Sequence, residues 1–157
     1  MGDMRRSLNI VFALGCLGIA GLLVLTVGGS ESAAAEADLE TRTVAVEGGG
    51  RYTDVSATVL ARMITKEKLL LVNVHIPYEG EIAWTDLAFP FDQVEANLAK
   101  LPSDKNARVV LYCRSGSMSS IAARALVKLG FTNVWNLDGG MIAWQKAGYS
   151  LAGTTKR

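Results

Sequence analysis

Thiols and imidazoles are scarce in this chain, which has two cysteines and one histidine in 157 residues. That supply cannot furnish a structural zinc set of cysteine and histidine ligands. Glu79, Glu81 and Asp86 are spaced too loosely along one loop to replace it, so no metal ligand is assigned. A charge excess is missing too: 16 basic residues face 15 acidic ones, a formal net charge of +1. Setting aside Asp3, Arg5, Arg6 and Glu31 near the N-terminus leaves the balance near neutral. With no basic face and no recognisable nucleic-acid motif, DNA and RNA are excluded as expected partners. Internal repeats are absent as well.

Charge is also missing from one particular place. IVFALGCLGIAGLLVLTV, residues 10–27, runs 18 residues without a charged side chain and follows Arg5 and Arg6. A run of that length just spans a hydrocarbon layer, and arginines before it stay on the cytoplasmic side. Residues 1–9 are therefore read as a cytoplasmic n-region and 10–27 as a transmembrane anchor or signal-peptide core. AAAEA, residues 33–37, offers a cleavage site after Ala35, and both readings stay open. The expectation is a domain facing the periplasm from a bacterial inner membrane, or a periplasmic one after cleavage near Ala35. Residues 28–50, rich in Gly, Ala, Ser and Glu, read as a flexible linker. The folded domain is expected over 51–152, with a short tail at 153–157.

Within 51–152 the hydrophobic period alternates. Ser56 can cap a helix over 57–65 with Val59, Leu60, Met63 and Ile64 on one face. LLLVNV (69–74) and ARVVLY (107–112) are continuous apolar runs, as in strands buried on both faces. A loop with Pro77, Gly80 and Trp84 leads to a short strand at 87–89, and Asp92 opens a short helix carrying Val94, Leu98 and Leu101. Further helices are expected at 117–129, ended by Gly130, and 141–146, ended by Gly148, with the strand NVWNL (133–137) between them. This pattern predicts an α/β domain with a central, mainly parallel five-stranded sheet flanked by helices. Trp84, Trp135 and Trp144 read as core or rim aromatics.

Cys16 lies in the apolar segment, so Cys113 is the single thiol of the exported domain. It sits in YCRSGSMSSIAARALV, at the end of a buried strand and just before a helix, where ligands of parallel sheets bind. N–H groups at a helix start carry partial positive charge and favour a thiolate. Gly116 lets the loop curl without a Cβ in the way. Ser115, Ser117, Ser119 and Ser120 offer hydroxyl donors, and Arg114 adds a fixed charge. Such a nest would stabilise a thiolate, a persulfide anion or a bound oxyanion without a neighbouring base. The plainer alternative is a strand-end cysteine packed as a small hydrophobe, with the serines merely capping the helix.

LLLVNVHIPYEGEI, VVLYCRSGSMSS, ALVKLGFTNVWNLDGG and GGMIAW together resemble the rhodanese family over about two thirds of the chain. The resemblance implies a sulfurtransferase whose loop cysteine, Cys113, carries sulfane sulfur as a persulfide. A donor such as thiosulfate, polysulfide or a protein persulfide would load it, and a thiol or cyanide would unload it. No separate cofactor is implied. The loop N–H groups of residues 114–119 would hold the persulfide and Arg114 would attract the anionic donor. Two departures stand out. The sixth loop residue, often arginine or threonine in the family, is Met118, which cannot bind a sulfonate and favours an apolar or protein-borne donor. The strand that often reads Ile-Asp-Val-Arg is Val72, Asn73, Val74, His75, which keeps a hydrogen bond at Asn73 but loses an ion pair bracing the loop.

Other readings are weighed beside this one. His75 could approach the site as a pocket-rim residue or a hydrolase base, or be an ordinary solvated or hydrogen-bonding surface residue; Asp86 could line the rim or be solvated. Phosphatase relatives of this fold need Cys-x5-Arg, and here that arginine position is Ser119. The rival from another class is a non-enzymatic sulfur carrier or membrane-tethered binding module.

Overall fold

A strand that is apolar on both sides is stable only between two layers, and Val109–Tyr112 has that character. In the computed structural model, which describes residues 40–153, this strand (β6) is fully buried at the middle of a six-stranded sheet. The other strands are β1 (Thr41–Ala45), β2 (Arg51–Val55), β3 (Leu70–Asn73), β5 (Leu87–Ala88) and β7 (Val134–Leu137), in the order β1-β2-β7-β6-β3-β5. Strands β2, β7, β6, β3 and β5 run parallel; the runs at 69–74, 87–89, 107–112 and 133–137 account for four of them, whereas β2, like β1, is not marked by the apolar pattern. β4 (Glu81–Ile82) and β8 (Leu151–Ala152) form a separate antiparallel pair.

The two faces of β6 build two cores. Val109, Leu111 and Cys113 face α2 (Ser117–Lys128), packing with Val72, Val74, Ala122 and Leu126. Val110 and Tyr112 face α1 (Ala57–Lys66) and α3 (Gly140–Lys146), packing with Leu60, Met63, Met141 and Trp144. Each fully buried aliphatic side chain contributes roughly 1.5–3 kcal/mol, so β6 is anchored from both sides. Its C-terminal end is correspondingly rigid. Ser56 caps α1 as expected, its Oγ accepting from the Val59 N–H at 3.3 Å.

The linker reading of 28–50 needs correction at its C-terminal end. Thr41–Ala45 is a strand, paired antiparallel with β2 from Thr41↔Val55 to Ala45↔Arg51. Its sequence buries little, with Val44 only half-buried, so it carries almost no apolar period. Gly48, Gly49 and Gly50 all have positive φ, and they form the hairpin turn rather than a flexible tether. Arg42 donates to the buried Asp54 at 2.6 Å, and Asn136 donates to the other Asp54 oxygen at 2.7 Å. The apolar run at 10–27 and the cleavage site near Ala35 lie outside the described residues. No described helix is long and apolar enough to cross a membrane. The helix expected at Asp92 starts later, as a 3-10 turn over Glu95–Lys100.

The end of β6 is tied to α3. Met141 N donates to Cys113 O at 2.9 Å and Ile142 N donates to Arg114 O at 3.0 Å. This close approach requires Gly140, which has φ +55. A Cβ there would lie 2.7 Å from the Arg114 carbonyl carbon and closer still to the Cys113 oxygen. Both are backbone and cannot yield. Gly140→Ala is therefore expected to lower stability by more than the ~1 kcal/mol typical of a glycine in open space and to disorder the Cys113 loop. Gly148→Ala, at φ +90 with nothing within 4 Å, is the matched control. Urea unfolding of both variants checks this; equal losses would show that the contact is not limiting.

Candidate active site around Cys113

β6 ends, and the chain must turn within a few residues to start α2. Gly116 makes that turn at φ +93, immediately before the helix. A Cβ at Gly116 would come within 3.2 Å of Gly139 N, so the two glycine segments nest against each other. The turn aims the Gly116 N–H at the cysteine, with N to Sγ at 3.2 Å. Ser119, fully buried on the first turn of α2, brings Oγ to 3.5 Å of Sγ and 3.1 Å of Gly116 O. One hydroxyl hydrogen serves both acceptors. Cys113 is a free thiol with 1% of its surface exposed. The nest thus offers the sulfur one backbone and one hydroxyl donor at the positive end of a 12-residue helix.

The remaining loop residues do different things. Ser115 and Ser117 are exposed and face each other at 3.4 Å between their hydroxyls, and Ser120 donates to Ser117 O. Of the four serines, Ser119 is the one that reaches sulfur. Met118 is half-buried and packs against the core cluster that contains Cys113. Arg114, read in the sequence as a donor-attracting charge, is already paired. Its Nη1 donates to both oxygens of Glu79, at 2.9 and 3.0 Å.

Glu79 is the residue that spacing alone does not reveal. Read as one of several solvated loop carboxylates, it stands between two predicted site residues. Its Oε2 lies 3.2 Å from His75 Nε2, an ion-pair distance without hydrogen-bond alignment. The His75 side chain is 7% exposed, and neither ring nitrogen has a hydrogen-bond partner. The solvated reading of His75 is therefore corrected: it is a buried imidazole beneath Glu79. Asn73 keeps the hydrogen bonds expected of it, donating to Gly80 O at 3.1 Å and accepting from His75 N at 3.0 Å. These bonds and the Arg114–Glu79 pair take over the bracing of the loop.

Asp86 is not at the rim. Its Oδ2 accepts from Leu71 N at 2.8 Å, which places it beside the first half of β3, away from the Cys113 end. Tyr112 does the anchoring on the far face: its hydroxyl accepts from Ile82 N at 3.0 Å and lies 2.6 Å from Thr85 Oγ1. Burial pushes the Tyr112 phenol up to about 12. A cleft of about 410 Å³ lies at the same end of the sheet, lined by Glu40, Arg42, Asp54, Asp138 and Lys146 among others. It contains neither a thiol nor any residue of the 113–119 loop.

Comparison with known proteins agrees with this geometry. The model of the rhodanese-like domain matches residues 56–147. A sulfurtransferase of Allochromatium vinosum is 35% identical over 99 residues, covering 61% of this chain and 90% of that protein. The thiosulfate sulfurtransferase PspE of Escherichia coli is 31% identical over 70 residues, covering 43% of this chain and 67% of its own length. By contrast, the chain spans only 21% of the probable adenylyltransferase/sulfurtransferase MoeZ of Mycobacterium tuberculosis, at 41% identity over half of this chain. The solution structure of a rhodanese-like domain from an Anabaena protein superposes with a TM-score of 0.57 at 24% identity, over 64% of this chain and 78% of that one, which speaks for the fold alone. With Cys113 directly after β6, a glycine turn leading into α2 and the Gly139–Gly140 pair bringing α3 onto the Cys113 and Arg114 carbonyls, the chain belongs to the rhodanese-like domain family.

Proposed function

We propose that this domain is a sulfurtransferase that moves sulfane sulfur through a persulfide on Cys113. The observation that carries the reading is the Gly116 N–H aimed at Sγ at 3.2 Å, with Ser119 behind it. The sulfurtransferases among its relatives support it. In the loading step the Cys113 thiolate attacks the outer sulfur of the donor. With thiosulfate, the S–S bond breaks and sulfite leaves with the electron pair. With a hydropersulfide R–S–SH, the thiolate R–S⁻ leaves and the proton stays on the transferred sulfur. Either exchange is redox-neutral and requires no added electron carrier. In the unloading step an acceptor thiolate or cyanide attacks the terminal sulfur and Cys113 leaves as thiolate, a ping-pong cycle.

The pocket's donors suit a small, singly charged sulfur. Two donors reach Cys113 Sγ at 3.2 and 3.5 Å, enough for a singly charged sulfur, whereas thiosulfate brings two charges and Met118 stands where a cation would serve. We therefore favour a persulfide or polysulfide donor over thiosulfate, and a thiol acceptor. Residues 10–27 support a further proposal, that the domain is anchored to, or exported across, a bacterial inner membrane and works on the periplasmic side.

Three outcomes are expected. Intact mass after incubation with a persulfide donor should show one added, cyanide-labile sulfur on wild type and none on Cys113→Ala; no gain on wild type would sink the transferase reading. Met118→Arg should raise kcat/KM for thiosulfate about tenfold, the size of one charge-assisted hydrogen bond; an unchanged or lower rate would show that this missing charge does not limit the reaction. The mass of protein extracted from membranes should retain residues 1–35 if the anchor is uncleaved and lack them if cleavage follows Ala35. Intact chain recovered only from the soluble cytoplasm would refute the placement.

A further inference from the structure

The loop 113–119 contains one cation, Arg114, and that cation is already matched. Glu79 grips it with both carboxylate oxygens, at 2.9 and 3.0 Å to the same Nη1. Further along α2, Arg124 is also occupied, donating to Ser120 O at 3.1 Å and lying over the Tyr52 ring. The Glu79–Arg114 pair carries no net charge. We infer that Glu79 is a specificity-determining residue: by holding Arg114, it cancels the field that would draw a dianionic donor to Cys113. This inference rests on the reading of Cys113 as the sulfur-carrying residue and deepens it by naming what selects the donor class.

The exposure of the pair decides how Glu79 acts. The Arg114 and Glu79 side chains are 57% and 39% exposed, so their pairing adds little to folding stability. What it changes is the charge met by an approaching anion. Glu79 also covers His75, which is 7% exposed with neither nitrogen hydrogen-bonded. The carboxylate is held by Arg114 and lies 3.2 Å from His75 Nε2. A hydropersulfide with an uncharged tail is indifferent to this arrangement, because it brings no dianionic group for Arg114 to attract. Thiosulfate arrives with two charges and finds no uncompensated cation on the loop.

The test is steady-state turnover with two donors, thiosulfate and an uncharged alkyl hydropersulfide. Glu79→Gln should raise kcat/KM for thiosulfate roughly fivefold, the scale of one half-exposed charge pair, chiefly through a lower KM. The ratio of the two donors should shift by the same factor. That gain should fall as salt is raised and should vanish in Glu79→Gln/Arg114→Ala. Glu79→Asp, which keeps the charge, should retain the wild-type donor ratio. A Glu79→Gln donor ratio equal to wild type would overturn the inference, as would a gain that persists without Arg114. Should Glu79→Gln lower both rates together with its melting temperature, Glu79 is structural and the inference fails. If wild type takes up no sulfur from either donor, it is the transferase reading that fails instead, so the two failures are distinguishable.

Discussion

Everything at the site depends on two N–H groups at the start of α3. By taking up the carbonyl oxygens of Cys113 and Arg114, they keep two partial negative charges away from the sulfur. The peptide units that follow are then free to present N–H groups instead, and Gly116 does so. Such an arrangement is possible only where the backbones of two elements nearly touch, which is why glycine stands at 116, 139 and 140 in positive-φ conformations. A side chain at Gly140 would displace main chain, not a flexible tip. The reactivity assigned to Cys113 is thus a property of helix and strand ends brought into register.

Charge is arranged more sparingly than the fold would permit. The sulfur is received by neutral dipoles, and the cation nearest to it in the chain is tied to a carboxylate. Neutral donors fixed by the backbone need no reorganisation when a charged sulfur forms or leaves. The same economy appears on the opposite face, where burial pushes the Tyr112 phenol up while its hydroxyl ties the loop of residues 82–85 to the central strand. Both faces of β6 therefore end in hydrogen-bonding groups whose partners come from the segments that wall the site.

Most of the architecture was legible because its signals were strong. The apolar runs at 69–74 and 107–112 are strands buried on both faces, the Ser56 cap lies where its residue type predicts, and Cys113 stands at a strand end before a helix. What escaped has physical reasons. Strand β1 packs only weakly against the core and precedes a run of three glycines that resembles a tether, so neither period nor composition marks it. Glu79 was indistinguishable from its neighbours Glu81 and Asp86 because a carboxylate's partner, 35 positions away at Arg114, is set by how β3 and β6 lie side by side. His75 was placed near the site but not beneath a carboxylate, since depth is a matter of how the following loop folds back. The glycine pair at 139–140 was visible as part of a family pattern, while its purpose emerged only from the distance to Cys113.

The burial of a lone thiol has a consequence for the lifetime of its cargo. Among the described residues, Cys113 has no second cysteine to attack a sulfur bound to it. A loaded domain could not relieve itself by closing an internal disulfide and expelling sulfide. With 1% of the residue open to solvent, bulk reductant would also find it a difficult target. Discharge would then wait for a molecule shaped to reach in, and the domain would behave as a one-atom reservoir whose release is set by encounter rather than by leakage.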